Sequence, residues 1–226
     1  MNRQADASDE ELRMSVDTKA GVWVGSFSRE GTNRVLVEAL DHDFGPDAIL
    51  VPVGILLPKY DLLWIYMVPS PVTADAIADA IGACWNDARS TFPNVKRLVL
   101  DQDNGPENNS HRTQFMARMV NLADDTGVHV RLAYYPPYHS KYNPIERCWA
   151  SLEKSWNGSL LNTVEAVIGH ASKWTWKGLS PVVTLVERAY QKGVTLTKEA
   201  MANVETRLAR DATLGRWFVD IAPNAP

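Results

Sequence analysis

Cysteine is nearly absent: only Cys84 and Cys148 occur in 226 residues. Both fall in helically patterned segments without metal-ligand spacing, so neither a disulfide framework nor a thiolate metal site is expected, only buried thiols of a reducing cytosol. No apolar run approaches the roughly 20 residues needed to span a bilayer. The opening MNRQADASDEELR is polar and acidic, unlike a secretory signal. Positive charge is not in excess either, because 23 Lys and Arg stand against 27 Asp and Glu, a formal net charge of −4. Any surface for nucleic acid must therefore be local. Internal repeats, low-complexity tracts and a clear linker are also missing. What remains is 45% hydrophobic and 22% charged, the balance of a globular chain able to bury a core. The length fits one large domain or one domain with appendages.

Periodicity divides the chain. LRMSVD (12–17) alternates apolar and polar as a half-buried strand does, and Thr-Lys-Ala-Gly turns it into VWVGSF (22–27). Two further β-rich runs follow, AILVPVGILLP (48–58) and DLLWIYMVP (61–69). The stretch 73–91 carries apolar residues at 74, 77, 81, 84, 85 and 88, a helical face with Thr73 as N-cap and Asp75 in the first turn. A strand over 96–103, an Asn-Gly loop, a helix over 112–124, a strand over 128–135 and a helix from Asn143 complete the pattern to residue 156. The order β-β-β-β-α-β-α-β-α predicts an α/β fold, a mixed sheet flanked by helices. Helices are expected at 163–176, 181–191 and 198–210, before the closing RWFVDI. The expected organisation is a polar tail over 1–11, a core over 12–158 and a helical C-terminal extension of the same domain over 159–226.

Three acidic residues stand out by position. Asp17 ends the first strand, Asp103 ends a later strand, and Glu146 opens a helix directly after another strand. Carboxylates at strand ends can converge on one sheet edge, where open sheets place ligands. Hard divalent cations take such oxygens, and two ions about 3.5–4 Å apart can clamp both oxygens of a phosphoryl transfer. Each acid also has an ordinary reading. Asp17 and Asp103 suit turns, and Asn143, Pro144 and Glu146 form a capping-box pattern at N-cap, N1 and N3. Spacing alone favours capping for Glu146.

Two segments shift that balance: DNGPENNSHRTQF (103–115) and YYPPYHSKYNPIERCWASLEKSWNG (134–158). They resemble the second-acid and third-acid blocks of bacterial insertion-sequence transposases of the DDE type, most closely the ISAzo group. VDTKAGVWVGSFSREG (16–31) is similar to the first-acid block. The likeness extends more loosely through KGVTLTKEAM and the Trp-Phe-Val ending. It implies a ribonuclease H-like fold and cleavage of a DNA phosphodiester by water, then attack of the freed 3′-hydroxyl on target DNA. It further implies two Mg²⁺ or Mn²⁺ ions held by Asp17, Asp103 and Glu146, with 85 and 42 residues intervening. Its implied partners are transposon ends, target DNA and a homodimer or larger transpososome, without a membrane, in the cytoplasm at the nucleoid.

Asp101 competes with Asp103, being two residues earlier and so on the same strand face. Glu107 and His111 in the following loop are candidates for water or phosphate, or simply solvated. Lys19, Arg29 and Arg34 after the first acid, and His139, Lys141, Arg147 and Lys154 around the third, are candidates for DNA phosphates. Ile145, Trp149, Leu152 and Trp156 follow a helical spacing and are expected in the core. Only 16 residues precede the first acid, which leaves no room for a helix-turn-helix reader and predicts a truncated or split element. Two rivals stay open: a remnant that binds DNA or full-length protomers to regulate them, and a ribonuclease H-like nuclease without strand transfer.

Overall fold

The computed structural model describes residues 2–27, 45–69, 71–136 and 142–224. β1 (Glu11–Thr18), β2 (Val22–Val24), β3 (Ala48–Leu57) and β4 (Leu62–Pro69) lead, followed by α2 (Ala74–Ala88), β5 (Arg97–Gln102), α3 (Thr113–Thr126), β6 (His129–Tyr134) and α4 (Glu146–Ser155). This is the expected order, preceded by a short helix, α1 (Asn2–Ala7). Residues read as a polar tail thus fold back on the sheet, with Ala5 buried and Asp6 paired to Arg13 at 2.7 Å.

Among the described residues the strands form one nine-stranded sheet. With β7 (Val182–Leu185), β8 (Leu208–Arg210) and β9 (Phe218–Ile221) from the C-terminal part, its order is β7-β4-β3-β1-β5-β6-β9-β8, with β2 pairing to β3. β1, β3 and β4 are antiparallel neighbours, whereas β1, β5 and β6 run parallel. Parallel neighbours need a crossover, and α2 and α3 supply them. Alternation sends Leu12, Met14 and Val16 of β1 to the core under α2 and α3. Leu50 and Leu56 of β3 face the opposite way, into a second core with Ile145, Trp149, Leu152 and Trp156 of α4. The four helix residues are core, as their spacing predicts, and Cys84 and Cys148 are buried thiols. Thr73 caps α2 as expected, its hydroxyl accepting from the Ala76 N–H at 3.3 Å.

The C-terminal part departs from its helical expectation. Among the described residues there, only α5 (Val164–Lys173) and α6 (Lys198–Glu205) are helical. Residues 181–191 hold β7 (Val182–Leu185), which pairs parallel to β4. The expected helix 198–210 stops at Glu205 and gives way to β8 (Leu208–Arg210), while the RWFVDI ending forms β9 (Phe218–Ile221), antiparallel to β6. Short β-branched runs such as VVTL have no decisive local preference, and an available sheet edge settles them. The extension therefore widens the sheet at both edges, joined by a crossing over α2 and α3, where the Tyr190 hydroxyl donates to Asp79 at 3.0 Å.

Candidate active site

The parallel register of β1 and β5 pairs Ser15 with Asp101. Two residues further on, at the ends of those neighbouring strands, stand Asp17 and Asp103. Neighbouring strands lie about 4.8 Å apart and residues two apart share a face, so both carboxylates leave the sheet on one side. Asp101 is on that side too but is 2% exposed and committed to the protein interior. Its Oδ2 accepts from Arg13 Nη1 at 3.2 Å, Asn2 Nδ2 at 3.0 Å and the Tyr135 hydroxyl at 3.3 Å. Asp103 is half-buried in the turn after β5, where Asn108 Nδ2 donates to its Oδ1 at 3.2 Å. The same amide reaches Gln102 Oε1 at 3.2 Å, and the Tyr134 hydroxyl donates to the Asn108 carbonyl at 2.9 Å. The Asp103 turn is thereby tied to β5 and β6. Glu107 is engaged elsewhere. Its Oε2 accepts from the Ala74 N–H at 3.1 Å, at the start of α2, and pairs with Arg112 at 3.1 Å.

Glu146 is the first residue of α4. The capping box expected at its start does not form. Ile145 occupies the N-cap without a side-chain bond, and Asn143 offers only its carbonyl, to the Glu146 N–H at 3.1 Å. The Asn143 side chain, 1% exposed, turns instead to β1. Its Oδ1 accepts from the Ser15 hydroxyl, and its Nδ2 donates to the Val16 carbonyl at 3.0 Å. Ser15 Oγ in turn accepts from the Ile145 N–H at 3.1 Å. A hydroxyl on β1 thus does the capping, and the bonds that start the helix also fasten it beside Asp17. One turn on, Trp149 Nε1 donates to Asp17 Oδ2 at 2.7 Å.

The three carboxylates feel one another. Asp17 is pushed up to about 7, first by burial and then by the charge of Glu146, with the Trp149 N–H opposing and Asp103 adding to the rise. Glu146 is raised by burial and then by Asp103, against the pull of Lys19. Asp101 is pushed up to about 6 by burial, with Arg13 opposing. Among the described residues no group of three or more His, Cys, Asp or Glu side chains is placed as a ready-made metal site. Open carboxylate oxygens still match the donors that Mg²⁺ takes, since that ion keeps several waters and uses one or two carboxylates.

Of the cations singled out in the sequence, Lys19 lies beside Glu146 and pairs with Glu153 at 2.9 Å. Arg147 and Lys154 are exposed on α4. Arg29, Arg34, His139 and Lys141 lie outside the described residues. Ser15, Asn143 and Trp149 acquire roles at the site that sequence reasoning missed, having read Asn143 as a cap and Trp149 as core alone. Gly54 gave a legible signal, since a glycine inside an apolar strand marks a close approach.

A family model described as a Rhodopirellula transposase DDE domain matches residues 1–223. Among curated proteins none matches the sequence. Among solved structures, the Mos1 transposase paired-end complex with left transposon end superposes with a TM-score of 0.50 at 13% identity. That match covers 74% of this chain and 48% of the other, so this chain spans about half the length of that transposase. Likeness at this identity is one of fold: a mixed, ribonuclease H-like sheet flanked by helices.

Proposed function

Because the chain belongs to the Rhodopirellula transposase DDE domain family, we propose that it is the catalytic core of an insertion-sequence transposase, cutting and joining DNA. One observation carries the site assignment: strands β1 and β5 bring Asp17 and Asp103 to one edge, and Glu146 is close enough to repel both. Two acids whose proton affinity is raised, with Asp103 adding to both rises, are a poor way to stabilise a fold and a good way to hold cations. Asp17, Asp103 and Glu146 would hold two Mg²⁺ or Mn²⁺ ions. When bound, such ions stabilise the attacking and leaving oxygens of an in-line displacement at phosphorus.

The chain's own residues supply the geometry. β1 carries Asp17, the turn after β5 carries Asp103, and the Ser15–Asn143 and Ser15–Ile145 contacts fasten the start of α4, which carries Glu146, to β1. Lys19 carries positive charge to the edge of the acidic centre, and Arg147 and Lys154 add exposed cations along α4. These groups suit phosphate contacts, which position DNA without reading bases. Transposon ends and target DNA are the substrates of this reading, with a homodimer or larger transpososome as the working assembly at the nucleoid. Among the described residues no helix is long and apolar enough to cross a membrane.

Incubation of the full chain with supercoiled plasmid and Mg²⁺ or Mn²⁺ tests the reading. Nicked product that disappears with chelator and with Asp17→Asn is expected, and strand-transfer products are expected when pre-cut 3′-hydroxyl ends are supplied. Nicking without joining would leave a hydrolytic nuclease. Neither product would overturn the enzymatic reading.

A further inference from the structure

We propose that Trp149 is a positioning residue for Asp17: its indole N–H, seated by Gly54, holds the carboxylate in the orientation in which it meets a metal ion. The inference deepens the function proposed above and rests on Asp17 being a metal-holding group. Trp149 comes from α4 and Asp17 from β1, yet the donor and acceptor are 2.7 Å apart and the indole is 4% exposed. On α4, Glu146 and Trp149 are three residues apart and so lie on one helix face. A single helical turn therefore presents one acid of the site and grips another, fixing Asp17 relative to Glu146.

Gly54 explains how the ring reaches its place. The antiparallel register sets Gly54 of β3 directly opposite Asp17. A Cβ added at Gly54 would overlap the six-membered ring of Trp149 and come within 2.7 Å of Ile145 Cδ1. The indole thus lies on bare backbone, and any larger residue at 54 displaces it. Glycine inside a strand weakens the strand, and here the close approach of Trp149 accounts for it.

A buried indole often finds some acceptor for its N–H, which would make the bond to Asp17 incidental. Among the described residues, Trp64 and Trp176 have buried Nε1 atoms with no protein acceptor. Trp149, by contrast, meets a carboxylate, and it does so at the acidic site.

Calorimetric titration of Mn²⁺ into the full chain tests the proposal without relying on activity. Trp149→Phe keeps an aromatic ring and removes the N–H, and it should weaken Mn²⁺ binding about tenfold, the lower end for a group that orients a ligand. Gly54→Ala, which displaces the ring while Trp149 stays, should weaken binding likewise. That variant carries the test should Trp149→Phe fail to fold. The double variant Trp149→Phe/Asp17→Asn should bind no more weakly than Asp17→Asn alone, as expected if the indole acts through that carboxylate. Wild-type affinity in folded Trp149→Phe, or losses that multiply in the double variant, overturns the proposal. If Asp17→Asn itself binds Mn²⁺ as the wild type does, the metal-holding reading of Asp17 falls first and this inference with it.

Discussion

Asp101 lies in β5 and Asp103 in the turn just after it, and their surroundings separate them. Asp101 is enclosed and accepts three side-chain hydrogen bonds, including one from Arg13. Asp103 stands at the sheet edge with Asn108 on one oxygen. Substituting Asn removes charge and keeps shape. Asp103→Asn is therefore expected to abolish Mg²⁺-dependent cleavage at every metal concentration, read on plasmid. Asp101→Asn should leave measurable cleavage with a higher metal requirement and should lower stability by about 1–3 kcal/mol in urea unfolding, the range for an unsatisfied buried polar contact. A dead Asp101→Asn beside an active Asp103→Asn moves the second acid two residues back.

At the scale of elements, α4 and α2 illustrate two ways to begin a helix. α4 borrows its first acceptor from β1, so Ser15→Ala leaves both the Ile145 N–H and Asn143 Oδ1 without that partner. A loss of about 1–3 kcal/mol is expected. Asn143→Ala should cost a similar amount, and the double variant less than the sum, because the two residues share one network. Full additivity in denaturant melts would show that they act separately. α2 takes one cap from its own Thr73 and a second acceptor from Glu107 in the Asp103 loop. Glu107→Ala should then reduce stability by about 1 kcal/mol, the usual worth of a cap, while metal affinity at the site stays near wild type. A tenfold loss of Mn²⁺ affinity with unchanged melting would instead make Glu107 part of the metal site.

For the whole molecule, the acidic edge links folding to pH and to metal. Asp17 has a folded value of about 7 against an ordinary 3.8, so between those values the folded chain binds more protons than the unfolded one. The sign follows: stability is highest near the acid end of that window and falls as pH rises towards 7. Asp101 and Glu146, both raised, contribute in the same direction. In chelator, Tm should decline from about pH 4.5 to about pH 7, and Asp17→Asn should flatten the decline. If the three acids hold Mg²⁺ or Mn²⁺ as proposed, either ion should raise Tm at neutral pH, a rise that Asp17→Asn abolishes. A wild-type Tm that climbs over this pH range, or ignores both ions, contradicts an acidic metal-holding centre.

Period and turn chemistry are local properties, and they were enough to determine the leading order of strands and helices and the apolar faces of α2 and α4, and to single out three acidic positions as candidates. Motif resemblance added the kind of site those acids are proposed to form. Local pattern could not determine the C-terminal third, where VVTL and LAR became strands only because β4 and the β6–β9 edge offered them partners. Nor could it separate Asp101 from Asp103, which share alternation and differ in what Asn2, Arg13, Tyr135 and Asn108 bring to them. Asn143 and Trp149 show the same limit. Each fits a local rule, cap or core, yet the tertiary structure sets both against β1, 127 and 132 residues away, where Asn143 bonds Val16 and Trp149 bonds Asp17. Hydrogen-bond partners at such separation are chosen by the packing of helix on sheet, and no local pattern encodes them.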